Sequence, residues 1–390
     1  MSFPDSVRTK ADVDELIKRE EIERRTLDYK AELPARNDEA KEEFLGDVSS
    51  FANAVGGFLI YGVRAKRDDA GKTTGGPDEA TGIANLNPDT ERLWMEDVIR
   101  SGIHPRIPSF EIDPIEGFSE GPVLVIRIRR SWLAPHVVKV RKSTRFYSRT
   151  STGKYPLDPG EVRDAFRQSL IADDRVRSFR DGRLARVLAG DTPINLSASP
   201  KLVMHLIPQW PLTVDLSPLE KRTAELAPLD PANAHPRFNS QGYAVTSAQG
   251  KGYVQVFRSG AIEIVDTYLL GYYQDRTVPG LAFCKRINEA IERFLKEQKA
   301  LGVAPPIDLF VSLLGVKDFV IASHGPTRYI ANEVDEGDLL LPDVLLPEFS
   351  AFTNETLRPA FDALYQAAGW KKCLIYDDEG RWNPDAFVRP

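Results

Sequence analysis

The sequence predicts an α+β protein of at least two domains, on three observations. Its 390 residues exceed what one ordinary core organises. Over the first 170 residues, helical and strand patterns alternate in an order that suits a mixed sheet with helices largely on one side. A second set of strands and helices, α/β or α+β, follows an Arg-rich stretch. The expected layout is a domain over 1–175, a basic linker over 176–194 and a separate domain over 195–390.

Composition narrows the classes. With 42% hydrophobic and 28% charged residues, the chain has the make-up of a soluble globular protein. No apolar run approaches the roughly 18 residues of a membrane span. The opening MSFPDSVRTKADVDEL lacks an apolar core, so no signal peptide is expected there. Two cysteines, Cys284 and Cys373, suit buried small hydrophobes in a reducing cytoplasm better than a disulfide scaffold. Five scattered histidines offer no zinc spacing.

Taken in order, residues 11–25 (ADVDELIKREEIERR) pattern as an amphipathic helix with Leu16, Ile17 and Ile22 inward. Thr26 to Glu32 alternates as a strand, Leu27 and Tyr29 on one face, Asp28 and Lys30 on the other. The next stretch organises the rest. In EFLGDVSSFANAVGGFLIYGV (43–63), Phe44, Leu45, Val48, Phe51, Ala52 and Val55 form a helical apolar stripe. Asn37 and Asp38 stand where N-caps are expected, Gly56-Gly57 stops the helix, and Phe58–Tyr61 reads as a buried strand.

Arg64 to Gly82 reads as a long loop of charge, Gly and Thr. Pro88 opens a helix through Arg100 with Leu93, Val98 and Ile99 inward. Strands are expected over Pro108–Asp113, Val123–Arg129 and Val137–Tyr147, and a basic helix from Asp158 to about Leu170. In the second half, strands are expected at Lys201–Ile207, Tyr253–Phe257, Ala261–Val265, Ile307–Leu314 and Phe319–Ser323. Helices are expected over Pro279–Lys299 and Asn354–Gly369, and loops over 217–250 and 331–350.

The N-terminal series combines an acidic-x-Lys strand, FAN-x-x-GG, a Gly62-Val63 strand end, Ile103-His104-Pro105 and Tyr147-Ser148-Arg149. Over roughly residues 15–170 it resembles the Schlafen AlbA-type nucleic-acid-binding domain. The resemblance implies a mixed sheet with helices and a nucleic-acid partner.

Charge distribution agrees with that partner. The net charge is −6, yet Gly121 to Arg186 holds sixteen Lys/Arg against six Asp/Glu, an excess of +10 that leaves −16 elsewhere. Within it, Lys139, Arg141, Lys142, Arg145, Tyr147 and Arg149 interleave cations, hydroxyls and aromatics, which suits phosphate contacts with stacking nearby. A solvated charged face accounts for many such runs, and an assembly protein could set this strand against a neighbour's acidic half.

Catalytic readings fare less well. Gly71-Lys72-Thr73 lacks the Gly five residues upstream that a P-loop needs, and Thr74-Gly75-Gly76-Pro77 cannot open a helix. A metal-dependent nuclease holds Mg²⁺ or Mn²⁺ with clustered acids and a Lys near the phosphate. The family resemblance implies Glu23 and Asp28 as two such acids, with Lys30 beside them. Where the third is expected stand Arg64-Ala65-Lys66, so Asp68 or Asp69 would have to serve. His104 and His136, each beside Pro, suit structural roles, and Ser131 and Ser148 have no triad partners. The reading adopted is a cytoplasmic, homo-oligomeric nucleic-acid-binding protein without a membrane partner. A nuclease in phage defence or toxicity is the alternative, with Glu23, Asp28, Lys30 and Asp68 as its site and Glu23, Asp28 and Asp68 as its metal ligands.

Overall fold

The computed structural model describes residues 7–67, 73–131, 133–141, 143–197, 200–210, 213–229, 234–247, 250–271, 276–322 and 332–384. The chain divides into two compact units, Met1–Ile171 and Ala172–Pro390. The fold is α+β.

The first unit runs α1 (Lys10–Lys18), β1 (Leu27–Lys30), α2 (Asp38–Asn53), β2 (Gly56–Tyr61), β3 (Val63–Arg67), β4 (Thr73–Ala80), α3 (Pro88–Gly102) and β5 (Ile103–His104). It continues with β6 (Phe110–Ile115), β7 (Val123–Arg129), β8 (Val137–Val140), β9 (Ser143–Thr150), β10 (Gly153–Pro156) and the start of α4 (Pro159–Leu188). Two four-stranded sheets form. The first has the order β1-β2-β7-β6, mixed because β1 and β2 are parallel and the other pairs antiparallel. The second, β10-β9-β8-β5, is antiparallel throughout.

Helix α2 lies between the two sheets. Every residue from Phe44 to Ala52 is buried. Phe44, Leu45, Val48 and Phe51 join Leu59, Leu124, Ile126 and Ile128 of the first sheet and Val138 and Tyr147 of the second in one core. Each such side chain contributes about 1.5–3 kcal/mol on burial. The opposite face of the first sheet, with Leu27, Phe58, Ile60 and Val125, packs on Val13 and Leu16 of α1, so helices cover both faces rather than one.

The signature after α2 has a mechanical explanation. Asn53 Nδ2 donates to the carbonyls of His136 (2.9 Å) and Tyr147 (2.8 Å), and its Oδ1 accepts from the His136 amide at 2.6 Å. One side chain thus clips the helix end to β8 and β9. Gly57 must be glycine because a Cβ there would stand 2.3 Å from the carbonyl oxygen of Thr26, the residue that leads into β1.

Several local expectations are corrected. Helix α1 ends at Lys18 because Glu20 takes positive φ, which leaves Ile22 60% exposed and Glu23 off any helix. Val55 is exposed, and in α3 the inward residues are Met95, Val98 and Ile99, with Leu93 65% exposed. The stretch 64–82, read as a loop, contains the antiparallel hairpin β3–β4, held by backbone pairing without an apolar stripe. The stretch 176–194, read as a linker, is helical to Leu188. Its Val176, Leu184 and Val187 form a buried stripe that the intervening arginines hide from a composition count.

The second unit comprises the rest of α4, β11 (Lys201–Pro208), β12 (His235–Asn239), β13 (Gly242–Thr246), β14 (Gly252–Phe257), β15 (Ile262–Asp266), α5 (Tyr268–Gly271) and β16 (Thr277–Val278). Then follow α6 (Gly280–Ala300), β17 (Ile307–Leu314), β18 (Val320–Ile321), β19 (Asp338–Leu340), β20 (Val344–Leu346) and α7 (Arg358–Ala367). One large sheet, β12-β13-β14-β15-β11-β17-β19 with β20 also on β17, carries α6 and α7 on one face. Val176, Leu184 and Val187 of α4 cover the other. The expected loops over 217–250 and 331–350 contain β12, β13, β19 and β20. On the α4 face, Glu263 is fully buried, with Arg183 donating to both its oxygens (2.8 and 2.9 Å), Tyr253 Oη at 2.8 Å and His205 Nε2 at 3.0 Å. Cys284 and Cys373 are buried, their sulfurs 3.7 Å apart.

Candidate nucleic-acid interface

The predicted acidic site is built on β1. Alternation turns Leu27 and Tyr29 toward α1 and sends Asp28 and Lys30 toward α2 and the second sheet. Asp28 is only 7% exposed, and both its oxygens are taken. Oδ2 accepts from Arg149 Nη2 at 2.8 Å, and Oδ1 lies 3.3 Å from Lys30 Nζ. Lys30 also reaches Asp47 of α2 at 3.5 Å, and Asp47 in turn meets Lys154 of β10 at 3.0 Å. Lys154 closes the series on the Glu43 carboxylate at 2.6 Å. Charges therefore alternate along Arg149–Asp28–Lys30–Asp47–Lys154–Glu43 and link both sheets around α2.

The electrostatics follow from burial. Asp47 is held above its ordinary pKa by desolvation, which Lys30 and Lys154 only partly offset. Burial pulls Lys30 down, but Asp47 and Asp28 outweigh it and hold its ammonium above the usual value. Glu23 is raised by burial and then by Asp28, and its Oε1 accepts the Tyr29 amide at 3.3 Å.

This donor set does not fit a divalent cation. Asp28, which would have to be its central ligand, has one ammonium and one guanidinium on its two oxygens. Asp68, the proposed third ligand, and its neighbour Asp69 lie outside the described residues. Arg64 and Lys66 pair with Glu120 (3.0 Å) and Glu20 (2.9 Å). Among the described residues no group of three His, Cys, Asp or Glu side chains could hold a metal ion.

The basic strand splits between two environments. Lys139, Arg141 and Arg145 are exposed, whereas Tyr147 and Arg149 are buried against α2, and Lys142 is outside the described residues. Tyr147 belongs to the core beside α2. Arg149, 2% exposed, lies 3.7 Å over the Phe51 ring besides its bond to Asp28. These two are therefore structural, a correction to their reading as contact residues. Arg141 adopts positive φ at the β8–β9 turn and pairs with Asp38. No carboxylate pairs with Lys139 or Arg145 among the described residues.

His136 is buried, its Nδ1 2.7 Å from the Pro105 carbonyl, and burial lowers its pKa to about 4. That carbonyl can only accept, so Nδ1 carries the proton. His136 is a structural residue rather than a base at the surface. Asp47 and Lys154 were missed from the sequence, although one signal was present. A helix whose polar residues, Asp47, Ser49 and Ser50, fall amid Phe44–Phe51 leaves no side free for water.

The first unit thus defines an α+β domain with a charge series running from the buried Asp28 to the exposed Glu43 and a cationic outer hairpin. Residues 23–158 match the model of the Schlafen AlbA_2 family, which bears out the resemblance read from FAN-x-x-GG and its neighbours. No curated protein matches the chain. Among solved structures, the N-terminal domain of a RecG-related protein from Nitrosomonas europaea is 18% identical, covering 32% of this chain and 74% of that one at a TM-score of 0.24.

Proposed function

We propose that the chain binds nucleic acid through phosphate contacts made by the β8–β9 hairpin, with Lys139, Arg141 and Arg145 as the contributing cations. The observation that carries this reading is an exposed hairpin on which Lys139 and Arg145 have no acidic partner among the described residues, within a stretch that matches the Schlafen AlbA_2 family model. Contacts of this type neutralise phosphates and release counterions, so binding is little dependent on sequence and weakens with salt. The Lys139→Glu/Arg141→Glu/Arg145→Glu variant tests it. Affinity for DNA and RNA should fall, and the slope of log K against log salt should flatten by about 0.7–0.9 per lost contact. Unchanged affinity and slope would remove the hairpin from the interface.

A metal-dependent nuclease is the weaker reading. To hold a metal, Asp28 would have to exchange Lys30 and Arg149 for the cation, leaving Arg149 buried without its counter-charge.

A further inference from the structure

The second sheet has two faces, and only one is used by the core. Cross-strand register fixes which residues share the outer one: His104 pairs with Val137, Val137 with Phe146, Lys139 with Thr144, and Ser148 with Tyr155. Neighbouring positions on each strand alternate to the α2 side, where Val138 and Tyr147 are buried. On the outer face His104, Lys139 and Thr144 are exposed, and Val137, Phe146, Ser148 and Tyr155 are half-buried. None of these residues is acidic.

The aromatic residues are set across the strands. His104 and Phe146 fall in one row on either side of Val137, and Tyr155 is the diagonal neighbour of Phe146 on the next strand. Phe166 of α4, 51% exposed, stands edge-on to Phe146 with ring centroids 6.1 Å apart and walls one side of the face. Tyr155 Oη donates to Glu161 at 3.2 Å, which holds its ring in place. Lys139 is exposed on this face, across from Thr144 on the neighbouring strand.

We propose that this face is a platform for single-stranded nucleic acid, whose unpaired bases stack on His104, Phe146 and Tyr155 while its phosphates meet Lys139. A half-open sheet whose own strands bear planar rings, hydroxyls and a cation, with the nearby Glu161 carboxylate of α4 held by Tyr155, complements a polyanion with exposed base faces. A duplex keeps its bases stacked on one another and cannot offer them to such a face. The proposal rests on the nucleic-acid reading above and adds strandedness and a second set of residues to it.

The test measures binding of fluorescent single-stranded DNA and RNA, and of the matching duplexes, to the full chain. Phe146→Leu and Tyr155→Leu keep apolar bulk but lose the π-face, and Phe146→Trp restores it. Each Leu variant should weaken single-strand binding by about 5- to 100-fold, the range expected for one stacked base. The salt slope and duplex affinity should stay unchanged, and Phe146→Trp should recover wild-type affinity. Full single-strand affinity in both Leu variants, with the hairpin charge reversals still weakening binding, would overturn the platform and leave the phosphate interface standing. Equal losses on duplex and single strand would also overturn it. No binding of any nucleic acid by the wild-type chain would overturn both readings.

Discussion

Burial of His136 makes a quantitative prediction about acid sensitivity. Its folded pKa is about 4 against an ordinary 6.5, so between those values the unfolded chain binds a proton that the folded one refuses. A depressed histidine thus favours the folded state least in acid, and stability must fall as pH drops through this window. By linkage, unfolding is favoured by about 0.2 kcal/mol at pH 7, about 2 kcal/mol at pH 5 and about 3 kcal/mol at pH 4. The loss from pH 7 to pH 5 is therefore about 1.8 kcal/mol from this one ring. His136→Asn places an amide donor toward the Pro105 carbonyl and removes the titration. Urea unfolding, followed through resolved NMR signals of the first unit, should show wild type losing about 1.8 kcal/mol more than the variant between pH 7 and 5. Other titrating groups are common to both proteins and cancel in the difference. Parallel stability profiles would show that His136 is solvated in the folded state.

Other consequences can be checked by the same unfolding measurements. Asp28→Asn leaves Arg149 buried without a counter-charge and should cost about 3–5 kcal/mol, whereas Asp28→Leu with Arg149→Met should recover most of it. A single variant as stable as wild type would mean that the charge series is not coupled. Asn53→Ala strands three buried backbone groups and should cost about 2–5 kcal/mol, and a loss under about 1 kcal/mol would mean that water replaces the side chain. In the second unit Glu263 is held down at about 2 by Arg183 and His205 although burial alone would raise it. The stability it contributes is present above its ordinary value near 4.5 and lost as pH falls toward 2, so Glu263→Gln should flatten the acid limb of that unit's stability curve.

What could be read from the sequence was set by periodicity. Helix α2, the Gly-Gly stop and β2 were legible because Phe44, Leu45, Val48 and Phe51 repeat at helical spacing before an apolar run closed by Gly62. The sharing of one face by Asp28 and Lys30 followed from strand alternation alone. In β9 the same rule gave no direction: Arg145, Tyr147 and Arg149 alternate with Phe146 and Ser148, so both faces hold rings and polar groups. Only the second sheet's packing on α2 shows that Tyr147 and Arg149 turn inward and Phe146 outward. The partners of Asp28 were hidden for a different reason, since Arg149 lies 121 residues away in sequence. Ile22 and Leu93 misled because an apolar residue at the right spacing carries no information on where a helix ends or how wide its buried stripe is.

The position of α2 bears on what the match to the family model conveys. A helix enclosed by two sheets has no outward side, so a pattern written there, FAN and its glycines, records how layers fit together. Asn53 ties backbone to backbone, and Gly57 admits a neighbouring strand. Both are half-buried, and the contacts that explain them are to backbone rather than to a ligand. The most recognisable letters of this chain therefore describe a chassis, and two proteins could share every one of them while presenting unlike chemistry to solvent. Whatever chemistry this domain presents to solvent must be sought on the outer strands, where the signature is silent.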